Sequence, residues 1–482
     1  MNYRVIVRVI GFILAAVGVA MVPSAILSWF DHTIDRFAFL FSALIPLLVG
    51  GVILAVTRGE KVDLRIREGF AITTFAWLAA SVFGALPYVM CGVCGPVDAF
   101  FETMSGFTTT GATIFDNIES LPHGILLWRS LTQWLGGMGI VVLSVAVLPM
   151  LGVGGMQLFR AEVPGPTADR LSPRIQDTAK ILWSVYFGLT AIQTVLLMFG
   201  GMNLFEAVCH AFTTLSTGGF STRDRSVGAF DSTYIDLVIT AFMFIAGANF
   251  SLHYWLVRGR WNRYWQNEEF RYYTYLTVAG SVLLAVASIV HTDVSVGHGL
   301  RLGLFQMASI VTSTGYGTAD YLLWGFGAHA LIFTIMFCGG CAGSTAGGVK
   351  VMRVVLLAKH ANRVVKKTLH PHAVFNVRHS GKVVDDEVMM TVLGFFLLYF
   401  VLFLISSLLV AHLGADFTTA VGATVSALGN VGPGLGVVGP ASTYSTLPAA
   451  SKLILAIDML FGRLELFTVF VMLTPMFWRK VG

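Results

Sequence analysis

Charge is what this sequence lacks most. Of its 482 residues only 12% are Asp, Glu, Lys or Arg, while 56% are apolar; a soluble chain carries roughly a quarter charged residues. With a mean hydropathy of +0.76, that scarcity excludes an ordinary soluble domain and places the chain in the membrane class. A cleavable leader is not expected either. The first apolar stretch is too long and no small-residue site ends it, so a retained helix is expected. The His/Glu spacing of a zinc or di-iron site is absent, although His210 and His253 raise the question. Without it the chain is expected not to be an enzyme and to carry no covalent cofactor. Cysteines number five. Cys91/Cys94 and Cys338/Cys341 each have the gap of half a zinc site, but one pair belongs near the outer surface and the other inside a broken helix. A disulfide between Cys91 and Cys94 stays open as an alternative to simple packing.

What is present is a series of apolar runs long enough to cross a bilayer, which takes about 20 residues as a helix. They lie near 5–30, 37–56, 69–91, 126–151, 181–201, 233–257, 273–291, 388–412 and 449–475, with a Gly-interrupted candidate at 323–357. Basic residues set the topology. Arg58, Lys61, Arg65 and Arg67 fill one short loop, and Arg160, Arg170, Arg174 and Lys180 another. Arg258, Arg260, Arg263 and Arg271 occupy a third, Lys359 to Lys382 a fourth, and Arg479 and Lys480 end the chain. The opposite side carries fewer, chiefly Arg36, Arg129, Arg223, Arg225, Arg301 and Lys452. Both termini are therefore expected in the cytoplasm. The net charge of +5 reads as topology, and no nucleic-acid partner is expected.

Four outer connections share a pattern: a short apolar segment followed by a Gly-centred polar stretch. They run into Thr108-Thr109-Thr110-Gly111, Ser216-Thr217-Gly218-Gly219, Thr312-Ser313-Thr314-Gly315 and Gly429-Asn430-Val431-Gly432. The central glycines, read as Gly111, Gly218, Gly315 and Gly432, recur roughly every hundred residues, a spacing of repeated units. The expected fold is an all-α integral membrane protein. Four pseudo-repeats of helix, pore helix, filter loop and helix surround one central pore, preceded by an extra N-terminal two-helix hairpin. The units fall at 1–60 for the hairpin, then 61–155, 156–260, 261–365 and 366–482. The third has a broken second helix.

Irregular backbone at membrane depth survives only where it is buried or lines a watery path. Stripping water from potassium requires oxygens in its place, and successive backbone carbonyls supply them. The candidate ion-binding residues are Thr109, Thr110, Gly111, Ser216, Thr217, Gly218, Ser313, Thr314, Gly315, Asn430, Val431 and Gly432. K+ is expected at the carbonyls of Thr110, Gly111, Thr217, Gly218, Thr314, Gly315, Val431 and Gly432. The C-terminal ends of the short helices would add partial negative charge. Asp98, Glu102, Glu206 and Asp416 either concentrate cations at the mouth or only cap and complement helix starts. Sequence leaves both readings open.

Two features fall below this level. The stretch 338–350 holds Gly339, Gly340, Gly343, Ser344, Thr345, Gly347, Gly348 and Lys350; its glycines rule out a rigid helix. It lacks Walker spacing, and a flexible intramembrane gate is expected, with glycine-mediated helix packing as the alternative. Arg463 stands near the middle of the last apolar run, where an ionisable side chain marks a functional site. Facing the path it would obstruct a cation and hold the gate loop through carbonyls; the alternative is a salt bridge to Glu465 or Asp458.

The segments TTTGAT, STGGFST and GNVGPGLG, the run GGCAGSTAGG before Val349-Lys350, FGRLELFT, QWLGGMGI at 133–140 and MQLFRAEVPGP at 156–166 together resemble the TrkH branch of the Trk/Ktr/HKT potassium transporter superfamily. The likeness covers essentially the whole chain, and the extra hairpin resembles that branch rather than the shorter KtrB. It implies a homodimer with one pore per subunit, in a bacterial inner membrane. It also implies a cytoplasmic ring of TrkA-type subunits, binding ATP/ADP or NAD on the ring and not on this chain. In that superfamily, glycine at all four filter positions goes with potassium selectivity and serine at the first favours sodium. Tyr316-Gly317 departs from the pattern toward a tetrameric potassium-channel filter. The rival is a cation/proton or cation/sodium symporter, which also uses repeats and broken helices; no clear midplane acid pair supports it.

Overall fold

The computed structural model describes residues 1–31, 36–58, 66–139 and 175–479. Lys61, Arg65, Arg160, Arg170, Arg174, Lys480, the end of the 126–151 run and the whole 156–166 segment lie outside them. Six described helices are long and apolar enough to cross a membrane: Tyr3–Phe30, Arg36–Val56, Arg67–Met90, Ala179–Phe199, Glu268–Thr292 and Asp386–His412. Their lengths follow from uninterrupted Leu, Ile, Val, Phe and Ala, with side chains such as Leu48, Leu283 and Leu408 left exposed on the faces that a bilayer would cover.

After Arg67–Met90, Ala179–Phe199, Glu268–Thr292 and Asp386–His412 the chain each time enters a shorter, mostly buried helix: Pro96–Phe107, Leu204–Leu215, Val296–Val311 and Phe417–Gly429. Their starts are written locally. Pro96 stands at the first helical position. Asn203 accepts from the Glu206 N–H at 2.8 Å, Ser295 from His298 at 3.4 Å and Asp416 from Thr419 at 3.2 Å.

A further helix closes each unit, and here the sequence expectation needs correction. The sequence points to a break only in 323–357, yet 233–257 bends by 103° between Thr233–Ala246 and Phe250–Val257. The run 449–475 also breaks: Ala449–Arg463 ends, Glu465 and Leu466 take φ of 54° and 56°, and Phe467–Leu473 begins anew. In the first unit His123–Gly137 stops just before Gly139, whose φ is 72°. Single polar or glycine positions suffice for these breaks because neighbouring backbone takes up the freed groups. The Cys341 N–H donates to Gly247 O at 2.8 Å and the Phe250 N–H to Gly343 O at 3.0 Å. The breaks in the second and third units therefore satisfy each other.

Candidate functional site

The four short helices end alike. Thr109, Thr217, Ser313 and Asn430 all adopt left-handed backbone, with φ of 53°, 53°, 54° and 50°. In each hairpin the next N–H returns to the helix: Thr110 to Ser105 O (2.9 Å), Gly218 to Thr213 O (2.8 Å), Thr314 to Ser309 O (2.8 Å) and Val431 to Ser426 O (2.9 Å). The residue after that is again left-handed: Gly111, Gly219, Gly315 and Gly432, at 83°, 77°, 80° and 100°.

This register corrects one assignment. Gly219, not Gly218, is the counterpart of Gly111, Gly315 and Gly432, and Gly218 matches Thr110, Thr314 and Val431. The backbone counterparts of Thr110 and Gly111 in the second hairpin are therefore Gly218 and Gly219. The sequence held the signal. Counted from the last apolar residue of each short helix (Phe107, Leu215, Val311, Leu428), the left-handed glycine falls at the same place in all four.

The hairpins also meet. A Cβ on Gly111 would lie 2.1 Å from Gly218 O, on Gly219 1.8 Å from Thr314 O, on Gly315 2.0 Å from Val431 O, and on Gly432 2.7 Å from Thr110 O. Each hairpin abuts the next, and the fourth returns to the first. Thr109, Thr110, Ser216, Thr217, Thr314, Asn430 and Val431 are fully buried there. Not every carbonyl is equally available. Gly432 O accepts from Ser426 Oγ and from Tyr444 Oη, each at 2.8 Å, so both lone pairs are taken. Gly218 O accepts from Gln133 Nε2 at 2.7 Å.

Gln133 opens the 133–140 segment that carries the family resemblance, but the sequence by itself gives it no role of its own. Besides Gly218 it serves the Phe220 N–H, which donates to its Oε1 at 3.0 Å. One amide thus clamps both sides of the second hairpin. Gln133→Leu orphans a buried N–H, a loss of about 1–3 kcal/mol. We expect the melting temperature in detergent to fall by a few degrees, measured by fluorescence-detected thermal unfolding.

The acidic residues considered for the mouth are engaged elsewhere. Glu102 is fully buried, 2.9 Å from Arg129 Nε, and accepts the Ile114 N–H at 2.9 Å. Arg129 also donates to Ser221 O at 3.1 Å, tying the first unit to the second. Glu206 pairs with Arg223 at 2.6 Å and Asp98 with Lys452 at 2.7 Å. The Thr419 hydroxyl and N–H hold the Asp416 carboxyl below the ordinary carboxylate range. Asp98 and Glu206 lie in the first turns of their helices and Asp416 caps its own, as the capping alternative has it, whereas Glu102 stands inside its helix. His210 is likewise a packed residue, bonded to Glu206 O and Ser221 Oγ. Cys91 and Cys94 are not joined by a disulfide, and no cluster of three metal-ligating side chains occurs among the described residues.

The Gly-rich loop lies directly against the starts of the hairpins. Its stems pair, Gly339 N–H to Val349 O at 2.7 Å and Val349 N–H to Phe337 O at 3.1 Å. A Cβ on Gly339 would sit 1.8 Å from Gly347 O, so only glycine permits this crossing. Between the stems, Thr345 Oγ1 donates to Leu215 O (3.0 Å) and the Gly347 N–H donates to Ser313 Oγ (2.6 Å). Lys350 bonds to Ala346 O, while Gly340, Gly343, Ser344 and Gly348 complete the loop. Arg463 reaches it from the fourth unit. Its guanidinium donates to Thr345 O (2.8 Å), Thr109 Oγ1 (3.1 Å), Gly136 O (2.5 Å) and Gly137 O (3.1 Å). The alternative partners are taken: Glu465 pairs with Arg353, and Asp458 accepts from Ser406 Oγ at 2.8 Å. Beyond the loop opens a cavity of about 480 Å³, lined by the loop, Met138, Asn249, Glu269 and Arg463.

Comparison with known proteins gives one answer. The family model TrkH, described as a cation transport protein, matches residues 35–480. Trk system potassium uptake protein TrkH of Salmonella typhimurium is 40% identical over the full length of both chains, and that of Halomonas elongata 42%. TrkG of Escherichia coli is 34% identical over 99% of each. The crystal structure of the potassium transporter TrkH from Vibrio parahaemolyticus superposes with a TM-score of 0.90 at 36% identity, covering 99% of this chain and all of that one. The chain is a membrane transport protein rather than an enzyme, and it belongs to the TrkH family of cation transport proteins.

Proposed function

We propose that the chain is the potassium-translocating subunit of a Trk uptake system, a gated, selective pore formed by four pseudo-repeats around one axis. The observation that carries this reading is the closed cycle of four hairpins with one backbone conformation. A pore lined that way offers oxygens at repeated levels without a titratable group, as a dehydrated cation requires. The oxygens we assign to K+ are those of Thr110, Gly111, Gly218, Gly219, Thr314, Gly315 and Val431, with Gly432 O held aside by Ser426 and Tyr444. The loop at 338–350 and Arg463 form the gate beneath them. The relatives' names supply potassium as the ion and a Trk system as the setting. The family resemblance supplies a homodimer and a nucleotide-binding TrkA-type ring. The basic loops favour a bacterial inner membrane with both termini cytoplasmic.

The test is rubidium uptake by the purified chain in liposomes, driven only by an internal potassium load. Uptake is expected without any proton or sodium gradient, and external potassium should compete with it. Uptake that appears only when such a gradient is imposed would replace this reading by the symporter.

A further inference from the structure

Glu268 and Glu269 are adjacent at the start of helix Glu268–Thr292, yet they hold two different elements. Glu269 is buried, and its Oε1 accepts the Ala342 N–H at 2.8 Å and the Met352 N–H at 3.1 Å. These two amides flank the stretch that touches Arg463 and the hairpins, so one carboxylate oxygen ties both ends of that stretch. Glu268 faces the other way. Its Oε2 accepts the Ser380 N–H at 2.7 Å in the turn of the small β-hairpin Arg378–His379/Lys382–Val383, and Lys359 bonds to its Oε1. Lys359 in turn donates to Arg378 O at 2.7 Å.

The hairpin and the loop are thus anchored on consecutive residues, whose Cα atoms stand about 3.8 Å apart across a rigid peptide unit. Hydrogen bonds that backbone N–H groups donate to a carboxylate are among the stronger contacts available here. We propose that Glu269 is a positioning residue that latches the Gly-rich loop across the ion path, and that Glu268 transmits displacement of the hairpin to that latch. This inference rests on the pore reading above. It adds what holds the gate shut and through which residue a force from the basic side of the chain would reach it.

Two measurements test it in the full-length chain. With Cys341 kept as the sole thiol, its labelling rate by a maleimide reports loop opening, since this residue is buried in the loop at 1% exposure. Glu269→Ala is expected to raise that rate about tenfold and Glu268→Ala by a smaller factor, the size of effect that follows from losing about 1.4 kcal/mol of latching. In liposomes, Glu269→Ala should raise rubidium uptake several-fold with an unchanged rubidium-to-sodium ratio, because the hairpins are not touched. Should Glu269→Ala fail to fold, Glu269→Asp, which draws the oxygen back by one methylene, is expected to show the same direction in both assays. Labelling and uptake at wild-type level in the folded variant would overturn the latch and leave the pore reading intact. Wild-type uptake that needs an imposed gradient would overturn the pore reading, and the latch with it.

Discussion

Gly219→Ala is expected to abolish potassium-competed rubidium uptake, whereas Gly218→Ala should retain part of it and Gly188→Ala should stay within about twofold of wild type. The order follows from geometry. At Gly219 the backbone is left-handed, at φ 77°, which costs a residue with a Cβ about 1–2 kcal/mol. The greater obstacle is steric: the new methyl would stand 1.8 Å from Thr314 O, a backbone atom that moves only if the third hairpin moves. Gly218 is not left-handed, and its Cβ would meet the Gln133 side chain at 2.4 Å. That chain can swing away, at the loss of its bond to Gly218 O. Gly188 lies in Ile175–Phe199 with nothing within 4 Å of a built Cβ, and alanine there only improves helix propensity. Uptake by the three variants, normalised to folded protein from gel filtration, measures the order. A greater loss at 218 than at 219 would place the register where the sequence alone suggested.

Arg463→Ala is expected to raise uptake by roughly one to two orders of magnitude. A unit charge about 7 Å from a passing cation contributes about 2 kcal/mol of repulsion at an effective dielectric constant near 20. Loss of the bond to Thr345 O also frees the middle of the loop. Arg463→Lys separates the two effects. It keeps the charge but cannot reproduce four donations to Thr345, Thr109, Gly136 and Gly137 from one planar fork. A lysine variant close to wild type would assign the effect to charge. One close to alanine would assign it to the anchoring of the loop. Unchanged uptake in both would leave Arg463 a purely structural tie between the first, third and fourth units.

Much of the layout was legible because it rests on local chemistry. Apolar run length predicted the long helices, and the short apolar segments before the Gly-centred stretches predicted the short ones. Glycine in a short polar stretch pointed to tight turns at four places, after Thr at three of them. What resisted was whatever depends on a distant partner. Gly218-Gly219 offered two glycines whose spacing from Leu215 already favoured the second, but the physical reason, the approach of Thr314 O, lies in a distant segment. Glu102 resembled a mouth residue until Arg129, from the next helix, proved to cover it. Breaks in the second and fourth closing helices were missed because one Gly247 or a Glu465-Leu466 pair leaves an otherwise strong apolar signal.

Scarce charge, by itself, determined that this chain lives in lipid, since no soluble fold covers so much apolar surface with so few charged residues. The tertiary structure alone decided which carbonyls keep a free lone pair and which carboxylate holds the loop. Those outcomes are set by contacts of a few ångströms between segments far apart in the chain. Composition fixes the solvent a protein chooses, but hydrogen-bond partners at that range are fixed only when the backbone has been placed.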